Sequence, residues 1–246
     1  SSAWSSCYSL MLSGRFTKRG IACRTKHPPT PELVNPKCLD IIFVILIYVR
    51  ISPVRNCQGK HIVENKSEGK IVTIFGGSKC SPDSPEYLDA KDLGHRLAEA
   101  GFTICTGGYL GIMEAASRGA REAGGRVFGI VMNQFKSEPN RYLTDKVATD
   151  HFYDRLQNLI SRSVGFVAFK GGMGTVTEIS LVWNKLQTRV LGPRPLVLIG
   201  DCWKSVVDSW QTNLVVSKDD VAFLDFADNA EEASKIIIEK SKLIKI

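Results

Sequence analysis

From Lys70 onward the sequence predicts an α/β protein of three layers, a mostly parallel sheet between two layers of helices. Two patterns carry this. Apolar, β-branched runs of four to six residues alternate with stretches of ten to sixteen residues at helical spacing, and parallel strands need such crossover helices to connect them. Glycine turns at 76–77, 107–108 and 171–174 each follow one of these runs, as expected where the chain leaves the carboxyl end of a strand.

Taken in order, Lys70 to Phe75 reads as a strand. Pro85 to Ala100 reads as a helix, with proline near its start and Gly101 at its close. Phe102 to Cys105 is the next strand, and Leu110 to Ala123 the next helix, stopped by Gly124-Gly125 before the strand Arg126 to Val131. Asn133 to Asp150 is polar and irregular and reads as a surface loop, a lid over a ligand being the alternative. A helix is predicted from Phe152 to Ser161, then the strand Val164 to Phe169 and the helix Thr175 to Leu186. Pro195 to Ile199, Trp203 to Leu214, Val221 to Phe226 and Ala230 to Leu243 complete the alternation. Trp183, Trp203 and Trp210 fall at helical positions suited to the core or a dimer contact. His95 and His151 show no partner pattern.

The first 69 residues differ in character. Ser1 to Pro31 contains no acidic residue but has Arg15, Lys18, Arg19, Arg24 and Lys26 among serines and threonines, a composition shared with organelle transit peptides. The apolar run Ile41 to Val49 is well short of the roughly 20 residues that span a bilayer. Residues 1–69 are therefore expected to be an extension, targeting or without enzymatic importance, and 70–246 the functional domain. The expected location is cytoplasmic, or organellar if the extension is a genuine transit peptide.

With 246 residues, 43% hydrophobic and 23% charged, the chain has the composition of a globular protein. Its net charge of +7 comes without an Arg/Lys run or an aromatic ladder, so a polynucleotide groove is not expected. The seven cysteines include no C-x-x-C pair and no zinc spacing. No metal site is predicted, and Cys105 reads as a small core residue.

The chemistry concentrates at Lys170-Gly171-Gly172-Met173-Gly174-Thr175-Val176-Thr177-Glu178. Glycines allow backbone N–H groups to converge on an anion, and the helix that follows presents its positive end there. Glu178 is placed on the first turn of that helix. Arg155, on the preceding predicted helix, either holds a phosphorylated ligand or orients Glu178; the alternative is that the two are surface charges on unrelated helices. No G-x-G-x-x-G, P-loop, G-x-S-x-G or H-E-x-x-H pattern is present, which removes support for hydride transfer, ATP hydrolysis, serine esterase and zinc protease chemistry.

Gly76-Gly77-Ser78 with Pro85 and Tyr87, the run Thr106 to Ala115, Arg155, and Gly171 to Glu178 together resemble the LOG (LONELY GUY) family of cytokinin riboside 5′-monophosphate phosphoribohydrolases, long labelled lysine decarboxylases. The likeness covers Lys70 to Leu243. It implies a Rossmann-like fold, a homodimer, and hydrolysis of the N-glycosidic bond of a nucleoside 5′-monophosphate, AMP or a cytokinin riboside monophosphate, with no cofactor. It also implies Arg155 and Glu178 as the catalytic pair. Gly171, Gly172, Gly174 and Thr175 would bind the phosphate, while Gly77, Ser78, Gly108, Met113 and Glu114 would line the ribose and base.

A carboxylate suits this chemistry, because positive charge develops on the sugar as the bond breaks. A neighbouring Arg155 is expected to keep Glu178 ionised. Two positions depart from the family pattern. Lys170 stands where Pro is common, and Leu156 where Lys is common, so a rearranged phosphate site is expected and cytokinin specificity is not assumed. The alternative function is a non-catalytic carrier of a phosphorylated ligand such as molybdenum cofactor. A decarboxylase would need a Schiff-base lysine that the sequence does not identify.

Overall fold

The computed structural model describes residues 70–244; the expectations for 1–69 lie outside the described residues. Seven strands form one sheet: β1 (Ile71–Phe75), β2 (Thr103–Thr106), β3 (Val127–Met132), β4 (Asp145–Thr149), β5 (Ser163–Ala168), β6 (Leu196–Ile199) and β7 (Asp225–Ala227). Their order is β4-β3-β2-β1-β5-β6-β7, and every pairing is parallel. The chain thus builds outward from β1 to one edge, then returns beside β1 to build toward the other. The reversal falls between β1 and β5, where doubly wound sheets hold their ligands.

Helices α1 (Pro85–Glu99), α2 (Ile112–Glu122) and α7 (Ala230–Ser241) cover one face, packing Leu93, Ile112 and Ile237 on Val72, Ile104 and Val167. On the other face, α3 (Phe152–Ser161), α4 (Met173–Gln187) and α5 (Asp201–Asn213) pack Leu159, Ile179 and Trp203 on Phe75, Phe166 and Leu198. A single turn, α6 (Lys218–Val221), precedes β7. Central strands covered on both faces read as continuous apolar runs, which is why β1, β3 and β5 are visible in the sequence. Trp183 and Trp203 are buried, and Trp210 stacks on Trp183 with centroids 5.9 Å apart. Cys105 is buried as expected, and burial pushes its thiol up to about 12.

The helix ends follow local chemistry. Ser84 caps α1 by accepting from the Tyr87 N–H at 3.2 Å with Pro85 behind it, and Asn229 caps α7 through the Glu232 N–H at 3.0 Å.

Several boundaries differ from the sequence expectation. The segment 133–150 is not irregular throughout, because Asp145–Thr149 pairs with β3 as an edge strand. Its side chains are largely exposed, so it carries no apolar signal. The predicted strand Val221 to Phe226 splits: Ser217 and Asp220 form a capping box that starts α6, and pairing begins only at Asp225. Helix α2 starts at Ile112 rather than Leu110, since Gly111 sits at φ 68° outside the helical region. Helix α4 starts at Met173, two residues early, which moves Glu178 from the first turn to the second.

Helices α1 and α2 approach backbone to backbone. A Cβ at Gly94 would strike the Ala116 carbonyl, and one at Gly119 the Lys91 carbonyl. In an open helix, Gly→Ala stabilises by up to about 1 kcal/mol; here the added methyl must push the helices apart, an overpacking worth about 1–3 kcal/mol. Gly119→Ala is therefore expected to lower the urea-unfolding free energy, and a stabilised variant would show that the helices are not in backbone contact.

Candidate active site

Arg155 rises from α3 toward the carboxyl rim of the sheet and is only 6% exposed. Its Nε donates to the Ile130 carbonyl at 3.1 Å, Nη2 to the Gly107 carbonyl at 3.5 Å, and Nη1 to Glu178 Oε1 at 3.3 Å. The guanidinium is thus fastened to β3 and to the turn after β2 on one side and to α4 on the other. A buried cation requires such partners. Gly107 makes the approach possible: a side chain there would run into the Arg155 guanidinium and the Met113 sulfur.

Glu178 lies in the second turn of α4, its side chain 12% exposed. Burial pushes its carboxyl up to about 7, against the attraction of Arg155, which acts in the opposite direction. The sequence leads one to expect that attraction to keep the group ionised. It is present, yet desolvation outweighs it, so the carboxyl exchanges its proton near neutral pH.

The start of α4 is a bare helix terminus. Gly172 occupies the N-cap with no side-chain cap, and the space above Gly172 and Gly174 is open. The first-turn N–H groups have no carbonyl within the helix to meet. Gly171 abuts the buried Thr175, whose side chain leaves no room for a Cβ there. Lys170 is exposed, and its carbonyl accepts from the Gly77 N–H at 3.1 Å. That bond joins the turns after β1 and β5 across the reversal point.

The other predicted residues distribute around this pair. The Gly77 carbonyl accepts from the Ile112 N–H at 3.0 Å, while Gly111 packs its backbone on Gly77 and Ser78. Ser78 is exposed at the rim. Gly108, at φ 82°, has its N–H bonded to Thr106 Oγ1 at 3.1 Å and its carbonyl bonded to the Asn140 N–H at 2.8 Å. Both of its polar groups serve the turn. Met113 borders the Arg155 pocket through its contact position at Gly107. Glu114 sits apart from the pair: its charge bears on Cys80 and Tyr87, not on Glu178.

Sequence reasoning missed Asn140. It is buried, and its Nδ2 donates to the Tyr109 carbonyl at 2.9 Å, so the loop after β3 is fastened onto the rim rather than standing free as a lid. Tyr109 adds a second anchor, its hydroxyl accepting from the Met132 N–H at 2.9 Å and its ring meeting Phe135 at 5.6 Å. An asparagine in a polar loop gives no local signal of this role. Among the described residues no group of three metal-ligating side chains occurs, and no helix is long and apolar enough to cross a membrane.

The elevated Glu178 pKa has a thermodynamic consequence. Its folded value of about 7 exceeds the ordinary 4.5, so the native state holds this proton more tightly than the unfolded chain. The associated stability is complete below about pH 4.5 and declines as pH rises through 7, by on the order of 3 kcal/mol. The stability difference between wild type and Glu178→Gln should shift by that order between pH 5 and 8, measured by denaturant titration. A pH-independent difference would contradict it. Arg155→Met should raise the carboxyl further, read by carboxyl-carbon NMR, because it removes the one attraction holding it down.

Known proteins share this framework. An uncharacterized protein of Archaeoglobus fulgidus is 31% identical over 128 residues, covering 52% of this chain and 82% of that protein. The cytokinin riboside 5′-monophosphate phosphoribohydrolase of Mycobacterium tuberculosis is 30% identical over 108 residues, 42% of this chain and 58% of the enzyme; the match thus spans little more than half of that enzyme's length. Among solved structures, the molybdenum cofactor binding protein of Rippkaea orientalis superposes with a TM-score of 0.58 at 23% identity, covering 71% of this chain and 98% of its own, a likeness of fold. The family model for the SLOG cluster4 family matches residues 69–209, more than half of the sequence, and the chain belongs to that family.

Proposed function

We propose that this chain hydrolyses the N-glycosidic bond of a nucleoside 5′-monophosphate, releasing the free base and ribose 5-phosphate. The observation that carries the reading is the buried Arg155–Glu178 pair, 3.3 Å apart, set one turn from an uncapped helix terminus. The 5′-phosphate would sit on the N–H groups around Gly172, Gly174 and Thr175, favoured by the positive end of α4. Glu178 follows three to six residues along the same helix, a rise of roughly 4.5–9 Å. A ribose bridging the two would bring its anomeric carbon to the carboxyl. The M. tuberculosis relative, named as a phosphoribohydrolase of cytokinin riboside 5′-monophosphate, supports the reaction class, and AMP or a cytokinin riboside monophosphate is the proposed substrate.

In this scheme the C1′–N bond breaks with its electron pair leaving on the base. Glu178, ionised, faces the cation-like sugar and takes a proton from the water that attacks C1′. The new C1′–OH belongs to ribose 5-phosphate, and the proton taken up by Glu178 passes to the departing base nitrogen, directly or through solvent, which restores the carboxylate. A carboxyl near 7 suits a base that must be ionised yet able to accept a proton. Arg155 orients it through Nη1, while Nε and Nη2 anchor the guanidinium to the Ile130 and Gly107 carbonyls. Gly77, Ser78, Gly108, Met113 and Glu114 are the proposed border of ribose and base.

The test is release of ribose 5-phosphate from AMP and isopentenyl-AMP. Glu178→Ala should lower kcat/KM by about 10²–10⁴-fold. Wild-type kcat/KM should rise with pH to a plateau above about 7, as Glu178 ionises. Binding of both nucleotides without any turnover would replace this reading with the carrier of a phosphorylated ligand.

A further inference from the structure

A cavity of about 670 Å³ opens at the opposite rim of the sheet, beside the amino ends of β6 and β7. Its size lies within the range of small-molecule sites. Its apolar walls include Leu186 from the end of α4, Phe223 from the turn before β7, and Leu243 after α7. Glu178 and Leu186 lie eight residues apart on α4, a separation of roughly 12 Å, and neither Arg155 nor Glu178 borders this cavity.

Four charged side chains line it. Lys240 and Asp225 pair with each other, which leaves Arg189 and Arg194 as an excess of positive charge. Arg194 Nη1 is buried and has no hydrogen-bond partner among the described residues. Arginine keeps its charge under all ordinary conditions, and a buried guanidinium N–H without an acceptor is costly. Arg189 follows the C-cap Thr188 of α4 at φ 59°, a left-handed conformation that glycine adopts without cost. The left-handed backbone at this position does not call for an arginine, and Arg189 borders the cavity.

We propose that this cavity is a second ligand site, separate from the Arg155–Glu178 rim, for a small carboxylate borne on an apolar group. The carboxylate meets the unpartnered edge of Arg194, with Arg189 adding attraction, and the apolar group lies against Leu186, Phe223 and Leu243. A planar carboxylate matches the guanidinium fork, and the walls offer little to a ligand that is polar throughout.

Isothermal titration of the full chain with phenylacetate tests this, with phenylacetamide as the neutral counterpart. Phenylacetate should bind saturably with Kd below about 1 mM, and the amide at least about tenfold more weakly. Arg194→Met should lose at least about tenfold in phenylacetate affinity while keeping or raising the melting temperature, because it removes an unmet buried donor. Arg189→Gly should weaken phenylacetate as well without loss of thermal stability, since glycine suits the left-handed position. Absence of saturable binding, equal binding of the amide, or undiminished binding by Arg194→Met would overturn the proposal. A marked fall in the melting temperature of Arg194→Met would assign that side chain a structural role and overturn it too.

Discussion

A guanidinium buried at the carboxyl rim of the sheet constrains everything around it. Arg155 brings a permanent charge into a site where water is scarce, and such a charge is tolerated only when its donors are met. The partners come from three different elements: the β3 carbonyl of Ile130, the Gly107 carbonyl after β2, and Glu178 of α4. These elements are far apart in sequence and adjacent only because the strand order reverses between β1 and β5. The parallel sheet supplies the site by aiming a carbonyl of β3 and one of the turn after β2 at one point. Gly107 then has to be glycine, because the arginine occupies the space where a side chain would stand.

The same arrangement divides labour within the rim. An arginine beside a glycine cradle is easily read as the group that grips phosphate. With three of its five N–H groups directed at two carbonyls and a carboxyl, Arg155 is held in place from both sides, and further donors lie at the uncapped start of α4. A bracket fixed at three points holds the carboxyl it orients far more firmly than a flexible surface cation would. The turns after β1 and β5 are tied by the Gly77–Lys170 bond, and the start of α2 is tied to Gly77. The rim is therefore cross-linked by backbone bonds that do not depend on side-chain identity, so Lys170 occupies its position through its carbonyl while its charge remains in solvent.

Much of this was legible in the sequence, for a physical reason. Strand burial on both faces leaves unbroken apolar runs, and glycine marks the places where chain and neighbour touch; both are local signals. Hence β1, β2, β3, β5 and β6 were found, with the glycine turns; the pairing of Arg155 with Glu178 was open on those signals and came only from the family resemblance. What escaped was tertiary. Strand β4 exposes most of its side chains and is held mainly by backbone pairing at the sheet edge, which leaves no apolar pattern. Asn140 acquires its role from the turn it meets 32 residues earlier at Gly108. The three-point bracketing of Arg155 likewise depends on where β2 and β3 end in space.

The state of Glu178 is the clearest case of a property absent from sequence. Proximity to an arginine predicts an ionised carboxylate, and proximity is what a motif records. The protonation balance depends instead on the difference between two large quantities: the hydration lost on burial and the attraction regained from Arg155. Here the first is larger, and the carboxyl stands near 7. Had Arg155 been free to turn fully toward Glu178, the attraction would have gained; its commitments to Ile130 and Gly107 keep the contact at 3.3 Å through a single nitrogen. The two backbone carbonyls therefore act on the carboxyl without touching it, by limiting how much of the guanidinium it receives. A buried ion pair weakened in this way leaves the carboxyl able to change charge near neutral pH.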